Sequence, residues 1–97
     1  MTTTPLAGQG AIVTGGGRGI GLGIAQRLAR EGCRVALWDQ AFDVFDAVAA
    51  GFAPVSMHTV DVADYSRVEK AFADTEKALG TIDILINNAG INGPVAP

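Results

Sequence analysis

The chain is poor in the residues that cross-link, ligate metals or carry clustered positive charge. A single cysteine, Cys33, excludes a disulfide framework and a thiolate metal cluster within the 97 residues. The single histidine, His58, has no second histidine or cysteine near it in sequence, so it reads as a strand residue and not as a metal ligand. The seven lysines and arginines are scattered, and the net charge is −3, which removes the electrostatic basis for a nucleic-acid or acidic-membrane partner. No apolar run approaches membrane-spanning length, and Met1–Pro5 has neither the basic segment nor the apolar core of a secretory leader. A cytoplasmic location is the resulting expectation. Against these scarcities, a hydrophobic content of 48% and a charged content of 18% indicate a packed chain, with room for one small domain.

Glycine is what the chain has in quantity, 13 residues in all, and it is concentrated in Thr14-Gly15-Gly16-Gly17-Arg18-Gly19-Ile20-Gly21. Ala11-Ile12-Val13 ahead of this stretch reads as a buried strand, and Ile20, Ile24 and Leu28 behind it recur at helical spacing. A strand, a glycine turn and a helix N-terminus bring free backbone N–H groups and the positive end of a helix dipole to one point, which suits a phosphate. A P-loop is excluded, because Gly21 is followed by Leu22 and Gly23 where a Lys-Ser/Thr pair is required. The common G-x-G-x-x-G register also fails, since its last position falls on Ile20 or Leu22. Gly15, Gly19 and Gly21 fit G-x-x-x-G-x-G, while Gly15, Gly17 and Gly19 fit the looser G-x-G-x-G of nucleoside-binding methyltransferases. Glycine spacing leaves both open.

Along the rest of the chain strand-like and helix-like segments alternate. Strands are expected over 10–14, 34–38, 55–60 and 82–86, with helices over 19–31 and 42–50 and a third, preceded by Asp64, that carries Val68, Ala71, Phe72, Thr75 and Leu79 on one face. Gly32 and Gly51 stand where C-terminal caps belong, Asp64 reads as a cap, and Ser66-x-x-Glu69 is a capping-box pattern. This β-α-β-α-β-α-β order predicts an α/β fold of Rossmann type, a doubly wound parallel sheet with helices on both faces and strand order 3-2-1-4. The glycine turn and Asn87–Gly90 then lie side by side at the C-terminal sheet edge. The fourth strand, Ile82-Asp83-Ile84-Leu85-Ile86, has the near-continuous apolar character of a strand buried on both faces. In a four-stranded sheet it would be an exposed edge, so the chain is expected to be the N-terminal piece of a longer polypeptide.

These residues resemble the short-chain dehydrogenase/reductase family, in its sugar-alcohol dehydrogenase and oxoacyl-carrier-protein-reductase-like branch. Thr14–Gly21 is similar to that family's T-G-x-x-x-G-x-G turn, Asp61-Val62 to its adenine-binding pair, and Asn87-Asn88-Ala89-Gly90 to its N-N-A-G signature. The resemblance implies a nicotinamide dinucleotide whose pyrophosphate lies on Gly15, Gly17, Gly19 and Gly21, with donors near Arg18 and Ile20. It implies that Asp39 accepts from the adenosine ribose, that Asp61 and Val62 meet adenine, and that Asn88 and Gly90 border the nicotinamide ribose, with Asn87 tying neighbouring strands together. An acid at the end of the second strand favours NAD over NADP, although Arg18 could meet a 2′-phosphate, so a preference and not exclusion is expected. The implied activity is hydride transfer between the cofactor and a secondary alcohol or ketone, in a homotetramer or homodimer.

The family's Y-x-x-x-K is missing here: Tyr65 and Lys70 are five apart, and Ser56 and Ser66 are misplaced, so no catalytic residue is assigned. A non-catalytic dinucleotide sensor is the alternative to an enzyme. A methyltransferase is the remoter one, because Val13 stands where its acidic residue belongs. For Asp39 the competing role is an ordinary helix cap. Trp38 and Cys33 read as packing residues.

Overall fold

The computed structural model describes residues 6–88. Its elements are β1 (Gly10–Thr14), α1 (Gly19–Arg30), β2 (Arg34–Asp39), α2 (Ala47–Ala50), β3 (Ser56–Thr59), α3 (Tyr65–Leu79) and β4 (Ile84–Asn87). The four strands form one parallel sheet in the order β3-β2-β1-β4, as expected from right-handed crossovers. In the register of β1, Thr14 stands opposite Trp38 of β2 and Asn87 of β4, so the three strands end together.

Strand alternation sends successive side chains of β1 and β2 to opposite faces. Ala11, Val13, Val35 and Leu37 pack with Ala25 of α1, while Ile12, Ala36 and Trp38 pack with Ala71 and Leu79 of α3. β1 is buried along its whole length, which is why it can consist of small and β-branched residues with no polar face. On the α3 side, the Trp38 indole N–H donates to the Thr75 hydroxyl at 3.0 Å, and that hydroxyl donates to the Ala71 carbonyl at 2.7 Å. The one polar atom of the tryptophan is therefore satisfied in the core.

Three local expectations need correction. The second helix does not run from Phe42: residues 42–45 form a tight turn, with the Phe45 amide donating to the Phe42 carbonyl at 3.1 Å. Phe42 and Phe45 pack edge to face with centroids 6.2 Å apart, and Phe45 meets Phe52 at 6.4 Å, all against the α1-side core. Burying three rings outweighs the weak helical pattern, so α2 is a single turn capped by Asp46, whose carboxylate accepts from the Val48 amide. The capping box at Ser66 is also not used. Asp64 caps α3, accepting from the Arg67 amide at 3.3 Å, and the Ser66 hydroxyl donates back to Asp64 at 3.0 Å. Finally, β4 begins at Ile84, two residues later than expected, where Asp83 bonds Gly10 through both its amide (2.8 Å) and its carboxylate (3.0 Å).

Candidate functional site

After Thr14 the chain leaves β1 through a turn that only glycine can make without strain. Gly15 has φ +66° and Gly19 φ +60°, both in the left-handed region. The turn is tied to β2: the Gly16 amide donates to the Trp38 carbonyl at 3.1 Å, and the Gly17 amide to the Asp39 carboxylate at 2.9 Å. A Cβ on Gly17 would stand 2.9 Å from the Phe42 ring and 3.0 Å from that carboxylate, so the missing side chain is what lets both approach. Gly21 serves packing. A Cβ there would collide with the Gly15 carbonyl and lie 2.6 Å from the Asn88 amide nitrogen.

The N-terminus of α1 differs from those of the other two helices. α2 and α3 are capped by aspartates, whereas Arg18, the N-cap of α1, makes no side-chain cap bond. The first-turn amides of a 12-residue helix thus meet no side-chain oxygen of their own cap, and the space in front of Gly19 is open. Orphan donors at the positive end of a helix dipole form a cradle for an anion.

The opposite wall comes from the end of β4. The Thr14 hydroxyl accepts from the Asn88 amide at 2.9 Å, and the Asn88 side chain donates to the Gly15 carbonyl at 3.4 Å. The same hydroxyl lies 3.3 Å from the Ile86 carbonyl and 3.4 Å from the Asn87 side-chain oxygen, so Asn87 does link the two strands. Sequence reasoning left Thr14 out of the site. Its local signals are its place at the head of the T-G-x-x-x-G-x-G turn and a hydroxyl at the end of an apolar strand.

Between these walls lies an open pocket of about 370 Å³. It brings together Gly15, Arg18, Gly19, Ile20, Asp39, Val62 and Asn88 of the residues expected from sequence. Trp38, Gln40 and Val60 complete the lining. Gly17 and Gly21 stand behind the wall as described, and Gly90 lies outside the described residues. Asp61 is exposed and off the lining: its carboxylate accepts from the Ala63 amide at 2.9 Å, while Val60 and Val62 on either side face the pocket. Asp39 is not a helix cap, since Asp46 has that role. Its two oxygens accept from the Gly17 and Gln40 amides at 2.9 and 2.8 Å.

Elsewhere the reactive side chains are occupied or remote. Cys33 is buried beside the Leu6 carbonyl, and burial, with Glu31 and Asp83 nearby, pushes its thiol pKa up, so it stays protonated. Tyr65 is exposed on the first turn of α3, and Lys70 pairs with Asp74 at 3.3 Å, so neither lines the pocket. The His58 ring contacts the Ser56 hydroxyl at 3.2 Å. Among the described residues no three metal-ligating side chains cluster, and no helix is long and apolar enough to cross a membrane.

A parallel sheet in the order 3-2-1-4, with a glycine turn opposite the end of β4, defines a nucleotide-binding α/β half-fold of Rossmann type. The chain belongs to the short-chain dehydrogenase family, which it matches over residues 9–97. It is 44% identical over 91 residues to 2-dehydro-3-deoxy-L-rhamnonate dehydrogenase (NAD(+)) of a Sphingomonas species, covering 94% of this chain and 36% of that protein. It is 43% identical over 90 residues to gluconate 5-dehydrogenase of Gluconobacter oxydans, covering 89% of this chain and 35% of that protein. Among solved structures it resembles the 3-ketoacyl-(acyl-carrier-protein) reductase from Brucella melitensis complexed with NADH, with a TM-score of 0.77 and 33% identity over 89% of this chain and 36% of that one. The chain therefore spans about a third of the length of these relatives. Family membership closes the choice that glycine spacing left open and sets the methyltransferase reading aside.

Proposed function

We propose that these residues form the cofactor-binding part of an NAD-dependent oxidoreductase acting on a secondary alcohol or ketone. The observation that carries the reading is the uncapped N-terminus of α1 facing, in one pocket, the Asp39 carboxylate and Asn88. The first-turn amides of α1, which no cap side chain engages, would hold the pyrophosphate. Asp39 would receive the adenosine ribose hydroxyls: each carboxylate oxygen already accepts one amide, and an ionised carboxylate has about four acceptor sites, so capacity remains. Those two amide bonds orient the carboxylate before any ligand arrives. A 2′-phosphate would meet this negative charge, and hydrogen bonds to a charged group contribute roughly 1.5–3 kcal/mol, which supports a preference for NAD.

When bound, the cofactor supplies the hydride acceptor or donor. This chain would bind and orient it, with Asn88 and Gly90 beside the nicotinamide ribose, Val62 at the adenine, and Thr14 positioning Asn88. None of these 97 residues is assigned to proton transfer. The names of the relatives support a sugar acid or an oxoacyl thioester as substrate class. A cytoplasmic homodimer or homotetramer completes the proposal.

The test is titration of the intact protein with NADH and NADPH, followed by nicotinamide fluorescence. NADH should bind more tightly, and Asp39→Ala should erode the ratio of the two dissociation constants by about one decade, equivalent to about 1.4 kcal/mol. An unchanged ratio would reduce Asp39 to a structural tie for the glycine turn. A panel of polyols, sugar acids and oxoacyl thioesters with the intact protein should reveal nicotinamide reduction or oxidation. Silence throughout, with NADH bound, would favour the sensor.

A further inference from the structure

We propose that Asp43, which does not line the pocket, is a specificity-determining residue for the dinucleotide. By pairing with Arg18 it withdraws a guanidinium on the pocket wall from any 2′-phosphate. The proposal rests on the reading of the pocket given above.

Arg18 shares the pocket lining with Asp39 and Gln40. A guanidinium in that position is a natural partner for a phosphate, because its planar fork of donors matches phosphate oxygens. Yet its Nη2 lies 3.8 Å from Oδ1 of Asp43. The position of Asp43 is imposed by packing. It sits in the tight turn between Phe42 and Phe45, and both of these rings are set into the α1-side core. Phe42 also lies against Gly17, the residue before Arg18, within a distance that no Cβ would allow. The two turns are docked on each other, which brings the Asp43 carboxylate within reach of the Arg18 guanidinium. Asp39 would then select for ribose hydroxyls directly, while Asp43 acts through Arg18 by occupying the cation that would reward a phosphate.

The pair is exposed, with 57% and 72% of the two side chains accessible, so its effect should be modest and sensitive to salt. The experiment titrates the intact protein and its Asp43→Ala, Arg18→Ala and doubly substituted forms with NADH and with NADPH. Asp43→Ala should tighten NADPH about three- to tenfold, which is about 0.7–1.4 kcal/mol, and leave NADH within about twofold. The gain should vanish in the Arg18→Ala background and shrink as salt is added. Asp43→Asn, which keeps the side-chain size in the turn, should behave as Asp43→Ala does. Unchanged NADPH affinity overturns the proposal. So does an equal gain without Arg18, which would make Asp43 a direct repulsive charge. A protein that binds neither nucleotide removes both this proposal and the reading beneath it, whereas an unaltered ratio in Asp39→Ala removes only the role of Asp39.

Discussion

Thr14 does two jobs with one hydroxyl: it closes β1 against β4 and it holds the amide of Asn88 at the pocket edge. Thr14→Val keeps the shape of the side chain and removes the acceptor, leaving the Asn88 amide in need of a partner. Such a loss typically destabilises by about 1–3 kcal/mol, to be read from urea unfolding of the intact protein, and NADH binding should weaken with it. Gly21→Ala tests the other side of the contact. The added methyl must displace the Gly15 carbonyl or the Asn88 side chain, and because one of these is backbone the expected loss is again about 1–3 kcal/mol, accompanied by poorer NADH binding. Asp39 could be found from sequence because an acid at the end of β2 is separated from the glycines by a fixed strand and helix. Thr14 could not, since its partner is 74 positions away and only the β1–β4 register joins them.

The three helices show how the N-terminus of a helix can be given over to structure or to ligand. α2 and α3 begin with aspartates whose carboxylates accept from their own amides, and α1 begins with an arginine that caps nothing. The Arg67 amide above all, then the Ser66 hydroxyl, hold the Asp64 carboxyl below its ordinary pKa of 3.8. A carboxyl whose pKa is lower folded than unfolded adds stability above the unfolded value and loses it as pH falls through the folded one. Asp64→Ala should therefore lower the urea midpoint at neutral pH, and the gap from the unsubstituted protein should close as pH drops below 3.8. The pattern of α3 was readable because its buried positions Ala71, Thr75 and Leu79 recur at helical spacing. The length of α2 was not, because the pull on Phe42 and Phe45 comes from packing against the α1-side core, which local periodicity does not record.

Taken together, the described elements make a sheet with one well-covered centre and two thinner sides. β1 and β2 are sandwiched, whereas β4 alternates between packed and open positions: Ile84 and Ile86 turn toward the α1-side core, and Leu85 on the other face is 59% exposed. Among the described residues β4 is the last strand on its side. An apolar strand in that position invites edge pairing. The 97-residue polypeptide produced by itself should associate, and Leu85→Lys should raise the fraction remaining in solution, as measured by light scattering and sedimentation.

Local rules were enough to read the strand–turn–helix of the glycine segment, the acid that ends β2 and the order of the elements. Each depends on near neighbours: φ freedom at glycine, hydrophobic period and the handedness of a crossover. The site itself depends on contacts between distant segments. That Gly17 meets Asp39 across 22 positions, that Asn88 leans on Thr14 and that Arg18 finds Asp43 all follow from how the closed sheet sets its loops side by side. The reason is geometric: a hydrogen bond or ion pair is made by atoms within a few ångströms of each other, and only the closed sheet brings those atoms together.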